Sequence, residues 1–578
     1  MPLMGSLYIG TSGLQTSQNA LNTTAHNLSN VDTKGYTRQQ VQQSDRSYIT
    51  ISKTGAAVSY EQTGLGVIYS RAKQVRDYFL DKTYRRESGR SMFYEVSTEV
   101  MEEVESQLGE LNGEAFQTTL TDFWTAIQEL TKDPASSVTQ GLLVQKASEF
   151  VERANAVYYG LSSYQDNLNA QIKQQVDKIN DYGNKILYLN DKIRAIESGG
   201  VEHANDLRDE RNRMLDELAE LTKMSWSEDM YGNVAVQIEG VDFVKGSTCY
   251  EMGLQVDERN GFYTPYWPQN ASYIIRDDGS KYYNIDGAEV FNLSIEVSSD
   301  LGTDVGGLKA MLLARGDHRA NYTDIEEDYD GVSQSVLMNI QSEFDQLIHN
   351  VVGKINGILA DAAGVKTGKL TLADGTVLEN AQYCSNDEGG YMRNENGSPI
   401  QLFAKITTDG YSKVTATDEE GNTGEYWVYN EESAAKRDSL YTIENLQVDP
   451  GLMQRPANLG FRKPDGSEDN ETAEALKAAF TEEAYTLNPN VKKRTCFVDY
   501  YDDLVSQIAN SGYVFRSIYT NQVNTVESTY NAREQVTGVS SDEELSNMIK
   551  FQNVYNASSR YINVISEMIE HIINTLGM

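Results

Sequence analysis

Charge is missing from the start of this chain: residues 1–31 hold no Asp, Glu, Lys or Arg, although the 578 residues carry 85 acids against 49 bases, a formal net charge of −36. Basic clusters are missing too, which argues against a nucleic-acid partner, since a polyanion needs grouped Lys and Arg. No uninterrupted apolar run reaches the ~18 residues of a membrane span, so no membrane insertion is expected. Before Lys34 there is no basic residue to open a secretory leader, and no cleaved signal is expected. Cysteine is scarce: Cys249, Cys384 and Cys496 lie far apart without CxxC spacing, which fits neither a disulfide framework nor a zinc site. His26, His203, His318, His349 and His571 are scattered, and none begins an HExxH pair. Glycine-rich phosphate loops and nucleophile elbows are absent. The sequence therefore predicts no catalytic residue, metal or cofactor, and a protein that is not an enzyme.

What the uncharged end does have is a heptad. Leu7, Leu14, Leu21 and Leu28 recur at every seventh position, and residues 3–30 read as one amphipathic helix. At the other end Met548, Phe551, Tyr555, Ser558, Ile562, Ile565, Ile569, Ile572 and Leu576 alternate in steps of three and four, the seam of a coiled coil. Val554, Ala557, Tyr561, Val564 and Met568 form a second apolar flank beside that seam. A helix with no charged outer face wants neighbours on more than one side. Both ends are therefore expected to be loose in a single copy and to become helical as copies pack together.

At roughly 150 residues per domain the length suggests about four domains. The fold expected is multidomain α+β, with terminal helices pairing as a coiled coil, a long helical bundle and inserted antiparallel β domains. The terminal domain takes 1–40 and 541–578, and 41–75 reads as a linker with a small hairpin. The bundle takes 76–225, 303–362 and 498–540. Pro134 is the only proline from 76 to 224, and from Leu161 to Ile196 apolar residues recur every three to four positions, a rod-like helix that ends at Gly199 and Gly200. A small β domain spans 226–302, where Phe291, Leu293, Ile295 and Val297 alternate with polar residues as in a strand. A second β-rich insert spans 365–497, with hairpin dipeptides at Asp374-Gly375, Asn396-Gly397, Asp409-Gly410 and Asp465-Gly466. Asp418 to Asn422 lacks the ligands of a calcium loop and reads as a hairpin turn.

The run Ser12-Gly13-Leu14, Gln18, Leu21, Asn27, Ser29-Asn30, Thr33 and Gly35-Tyr36-Thr37-Arg38 resembles the N-terminal signature of the axial proteins of the bacterial flagellum, the rod, hook and hook-associated proteins. The segments Asn205 to Arg211, Gly306-Gly307-Leu308 with Leu312 to Arg315, and Gly538 through Ala557 resemble motifs of the hook-associated members. The likeness covers roughly the first 225 and last 80 residues. It implies export through the flagellar type III apparatus without cleavage, a cytosolic chaperone on the C-terminal segment, and assembly outside the cell as a tubular ring at the hook–filament junction. The partners implied are further copies of the chain, the hook protein and the second junction protein. The assembly interface expected comprises Leu7, Leu14, Leu21, Leu28, Asn30, Thr33, Gly35, Tyr36, Thr37, Arg38, Met548, Phe551, Tyr555, Ile562, Ile565, Ile569, Ile572 and Leu576, with Tyr36 and Arg38 turned toward a neighbouring subunit. The rival readings are another axial subunit (hook or distal rod) and a secreted glycan-binding protein that stacks sugars on Trp267 and Trp427.

Overall fold

The computed structural model describes residues 3–53, 60–108, 115–200, 202–276, 281–385 and 391–576. The chain opens with helix α1 (Leu3–Ser29) and then folds back through strands β1 (Gln39–Asp45), β2 (Ile49–Lys53), β3 (Tyr60–Thr63) and β4 (Val67–Gln74). β1 pairs antiparallel with β4, from Gln39 opposite Gln74 to Asp45 opposite Val67, with a bulge at Gln42/Gln43, and β2 pairs with β3. Where the sequence suggested a linker with one small hairpin, the structure has a long two-stranded ribbon. The ribbon docks on α1, where Ser12 Oγ accepts the Val67 N–H at 3.2 Å.

The helical body begins with α2 (Tyr78–Leu108), α3 (Phe116–Leu130), α4 (Ser137–Glu197) and α5 (Asn205–Leu221). Pro134 sits in the turn before α4, whose first turn is capped by Ser136 accepting the Val138 N–H. At 61 residues α4 is about 90 Å long, enough to serve two cores. Its N-terminal half buries Phe150, Val157 and Leu161 with Phe116, Phe123 and Phe344, and its C-terminal half buries Ile172 to Ile193 with Met214, Leu215 and Leu218 of α5.

A four-stranded antiparallel sheet covers that second core, in the order β5 (Met224–Glu228), β6 (Val234–Ile238), β7 (Val241–Lys245), β8 (Thr248–Cys249). Two hairpins follow, β9 (Gly253–Val256) with β10 (Tyr263–Tyr266) and β11 (Ser272–Ile275) with β12 (Lys281–Asn284). Trp267 is 1% exposed beside Phe243, so it is a core residue and cannot stack a sugar. The alternation from Phe291 to Val297 does not form a strand. Phe291 is buried and Ile295 exposed, and local side-chain bonds take the backbone instead, Asn292 Oδ1 accepting from Ser294 N and Thr303 Oγ1 from Ser298 N. Alternation makes two faces, but a strand also needs a partner ladder.

The chain re-enters the body through α6 (Gly307–Arg315), α7 (Tyr322–Ser333) and α8 (Val336–Ala362). Next comes a small closed barrel, β13 (Lys366–Leu372), β14 (Val377–Ser385), β16 (Tyr411–Thr417) and β17 (Thr423–Tyr429), closed in the order β13-β14-β17-β16; β15 (Phe403–Lys405), between β14 and β16, instead pairs with β18 (Leu446–Val448). The barrel has a core of its own, around Leu370, Tyr383, Tyr426 and Val428, and the Asp418–Asn422 turn joins β16 to β17, with Asp418 Oδ1 accepting from Glu420 N and Asn422 N. The β-rich insert expected from 365 to 497 thus has its barrel in its first half and the short β18 in its second. The remainder carries α9 (Pro450–Gln454) and α10 (Asn470–Thr481), and its Leu446, Leu459, Phe461, Phe480 and Leu487 join the main helical core. Two long helices finish the chain, α11 (Phe497–Thr537) and α12 (Ser541–Leu576), the second packed along α1.

Candidate assembly site

Helices α1 and α12 meet through unequal faces. From α12 come Met548, Phe551, Tyr555, Ile562 and Ile569, half-buried, and Ile565, 6% exposed. Ile572 lies outside the contact at 39% exposed, and the side chain of Leu576 lies outside the described residues. On α1 the leucine stripe is not the buried face. Leu7, Leu14, Leu21 and Leu28 are half-buried flanks, while Gly10, Ser12, Thr16, Ser17, Ala20, Thr24 and Asn27 are buried. Small residues bring the helix axes close: a Cβ built on Gly10 would fall 2.7 Å from Ile562 Cγ1, and one on Gly13 2.9 Å from Ser558 Oγ. Burying hydroxyls here costs little, because each bonds its own helix, Ser12 to Ile9 O, Thr16 to Ser12 O and Ser17 to Gly13 O at 2.7–2.8 Å.

Outside its buried seam, α12 presents Ile549, Val554, Tyr561, Val564, Met568 and Ile573, each between 40% and 64% exposed, with Tyr561 at the edge of the α1 contact beside Gly10. Four of them, Val554, Tyr561, Val564 and Met568, belong to the flank read from the sequence. Tyr8 and Ile9 of α1 are exposed as well. Isolated exposed apolar residues are ordinary, but a row of them along one helix marks a contact surface.

The Gly35-Tyr36-Thr37-Arg38 signature lies where this helix pair joins the body. Asn30 and Thr33 build the turn, Thr33 Oγ1 donating to Asn30 Oδ1 at 3.1 Å. Gly35 has φ of +84°, a left-handed conformation that a side chain would resist. Tyr36 OH donates to Asn27 Oδ1 at 2.8 Å, and Asn27 pairs with the Gln39 backbone through both ends of its amide. Thr37 N–H donates to Asp209 Oδ2 at 3.2 Å, and Gln74 donates to Asp209 Oδ1 at 2.8 Å. Arg38 meets its own chain: its backbone N–H reaches Thr537 O at 2.8 Å, and its guanidinium meets Glu544 and Glu543, each at 2.9 Å. One tetrapeptide therefore ties α1, the ribbon, α5, α11 and α12 together.

Beneath it runs a chain of buried charges. Arg76 pairs with Asp81 at 2.7 Å, Arg85 with Asp216 at 2.6 Å, and Arg533 with Asp216 at 2.8 Å while lying 3.9 Å over the Tyr84 ring. Burial would raise the Asp216 carboxyl, but Arg85 and Arg533 outweigh it and hold it below the usual range. Asp209 goes the other way: burial exceeds the help of its hydrogen bonds and pushes it up to about 6. Asn27, Asp209, Glu543 and Glu544 stand inside the motifs quoted above, yet no sequence spacing gave their roles. Arg85, Asp216 and Arg533 carried no signal, being separated by more than a hundred residues. Among the described residues, no group of three or more His, Cys, Asp or Glu could hold a metal ion, and no helix is long and apolar enough to cross a membrane.

Comparison with known proteins finds sequence relatives along nearly the whole chain. The model of the flagellar hook-associated protein FlgK helical domain matches residues 101–369, that of the flagella basal body rod protein 7–37, and that of the flagellar basal body rod FlgEFG protein C-terminal region 535–575. Flagellar hook-associated protein 1 of Bacillus subtilis is 24% identical over 98% of this chain and 97% of its own length, and its counterpart from Escherichia coli is 24% identical over 97% and 98%. The chain is similar along nearly its whole length to flagellar hook-associated protein 1 of both organisms. A solved structure of the flagellar hook junction protein FlgK from Burkholderia pseudomallei aligns with 80% of the chain and 100% of its own, at a TM-score of 0.49 and 13% identity. The two rod-type matches fall on α1 and α12, and the hook-associated match runs from within α2 through the β5–β12 strands to β13.

Proposed function

We propose that this protein forms the first ring of the hook–filament junction, a structural joint whose copies pack side by side through α1 and α12. One face of that ring matches the hook protein and the other the second junction protein. The chain is delivered by the flagellar type III apparatus after a cytosolic chaperone has covered its C-terminal segment. The observation that carries this reading is the exposed row Ile549, Val554, Tyr561, Val564 and Met568, which flanks the seam through which α12 is already packed on α1. A neighbouring copy can bury it at ~25 cal/mol per Å² of apolar area. The helical-body match over 101–369 favours a hook-associated subunit over a hook or rod subunit.

A paired substitution, Val564→Asp with Met568→Asp, tests the reading. The purified variant should keep the circular dichroism and melting profile of the parent, while cells carrying it should build hooks without filaments. Filaments of normal length on such cells would refute packing through this row. A chain lacking residues 1–30 should give the same filament-free hooks.

A further inference from the structure

We propose that the cleft between the small barrel and the segment that crosses over it is a binding site for a neutral mono- or disaccharide, a role separate from ring assembly. The cleft encloses about 350 Å³, within the range of small-ligand sites. Its wall on the barrel side is Trp427. In β17 the neighbours Tyr426 and Val428 point into the barrel core, so the indole between them is turned outward into the cleft, half-buried. Gln401, Asp409, Asp449 and Asn458 also line the cleft, Asp449 with its Oδ1 accepting from Gly451 N and Leu452 N at the start of α9.

The chemistry of these groups selects the ligand. Anions are disfavoured, because the only cation in the lining is Lys405, 4% exposed, whose ammonium is turned inward to Ser439 O at 2.9 Å and lies 4.9 Å from the Tyr441 ring. An organic cation would suit the indole and the two carboxylates but would have no use for amide donors. The cleft offers both kinds of group. Gln401 donates to Tyr441 OH at 3.0 Å, and among the described residues neither the Asp409 carboxylate nor the Asn458 side-chain amide has a hydrogen-bond partner, while the Asp409 carbonyl accepts from Asn430 Nδ2 at 2.7 Å. A sugar hydroxyl donates and accepts at once, and the C–H face of a pyranose has the flatness and polarity to lie on an indole. Gly410 makes room for the Gln401 amide itself: a Cβ there would fall 1.8 Å from Gln401 Oε1.

The test uses the full-length protein and saturation-transfer NMR with N-acetylglucosamine, its β-1,4 dimer, maltose and lactose, together with tryptophan fluorescence. At least one of these sugars should show saturable transfer up to about 20 mM, a concentration that fills even a millimolar site. Trp427→Ala should abolish it, and Asp409→Ala and Asn458→Ala should each weaken it about tenfold with unchanged circular dichroism. If Trp427→Ala does not fold, the two surface variants decide alone. Absence of transfer from all four sugars, transfer that survives these substitutions, or binding of sialyllactose or tetramethylammonium alone would overturn the proposal.

Discussion

At the scale of single residues, the body keeps carboxyl groups where water cannot reach them. Glu343 is fully buried, accepts from Asn488 and Gln507 at 2.8 Å each, and is pushed by that burial up to about 7 from 4.5. A carboxyl that holds its proton more tightly folded than unfolded makes the native state the better proton binder between those two values. Its contribution to stability is therefore greatest below 4.5, falls as pH rises, and levels off above 7. Asp345, buried under the N–H groups of Tyr322 and Ile443 and also pushed up to about 7, acts in the same direction. His349, held down by burial, acts against both as pH falls. Glu343→Gln isolates one contribution: the stability change between about pH 7.5 and 5.5, read from urea midpoints, should differ from the parent by about 1–2 kcal/mol. Identical pH profiles would contradict it. None of this was legible in the sequence, where Glu343 is one acid among 85; burial comes from Asn488 and Gln507, more than a hundred residues away.

At the scale of elements, regularity decided what could be read. The spacing from Leu161 to Ile196 foretold a rod because a helix needs nothing but its own backbone bonds and one apolar stripe, and α4 has both. The stretch from Phe291 to Val297 misled because a strand's partner lies elsewhere in the chain. Residues 437–497 misled for a related reason: Asp465-Gly466 is a turn, but turns also join short helices. On α1 the error was one of scale. Ranking residues by hydrophobicity favours Leu7, Leu14, Leu21 and Leu28, whereas the closest approach to α12 is made by Gly10 and Gly13, with hydroxyls that satisfy themselves. Gly10→Val should therefore do more harm than Leu14→Ala. Forcing a branched side chain against Ile562 is expected to cost the helix pair ~1–3 kcal/mol, seen as faster amide exchange throughout α1 and α12 with α4 unchanged. A larger effect from Leu14→Ala would restore the leucines to the centre of the contact.

At the scale of the whole molecule, the α1–α12 pair meets the body through Thr37, Arg38 and the buried charges below them, while the body holds two continuous cores along α4. Such a build predicts how the chain comes apart. Trypsin has no site before Lys34, which is exposed, as is Lys550, whereas Arg533 is sealed against Tyr84 and Asp216. Brief digestion of the monomer should cut after Lys34 and Lys550, shedding residues 1–34 and 551–578, and leave a resistant body identifiable by mass spectrometry. Termini as durable as the body would contradict that order. The pairing of α1 with α12 also imposes a schedule. The first helix to leave the ribosome is matched only by the last, with roughly 500 residues between them, so at about 5–20 residues per second α1 waits on the order of 25–100 s for its mate. A stretch of Ser, Thr, Asn and Gln among its leucines keeps it wettable through that interval, and no truncated chain can carry a finished joint.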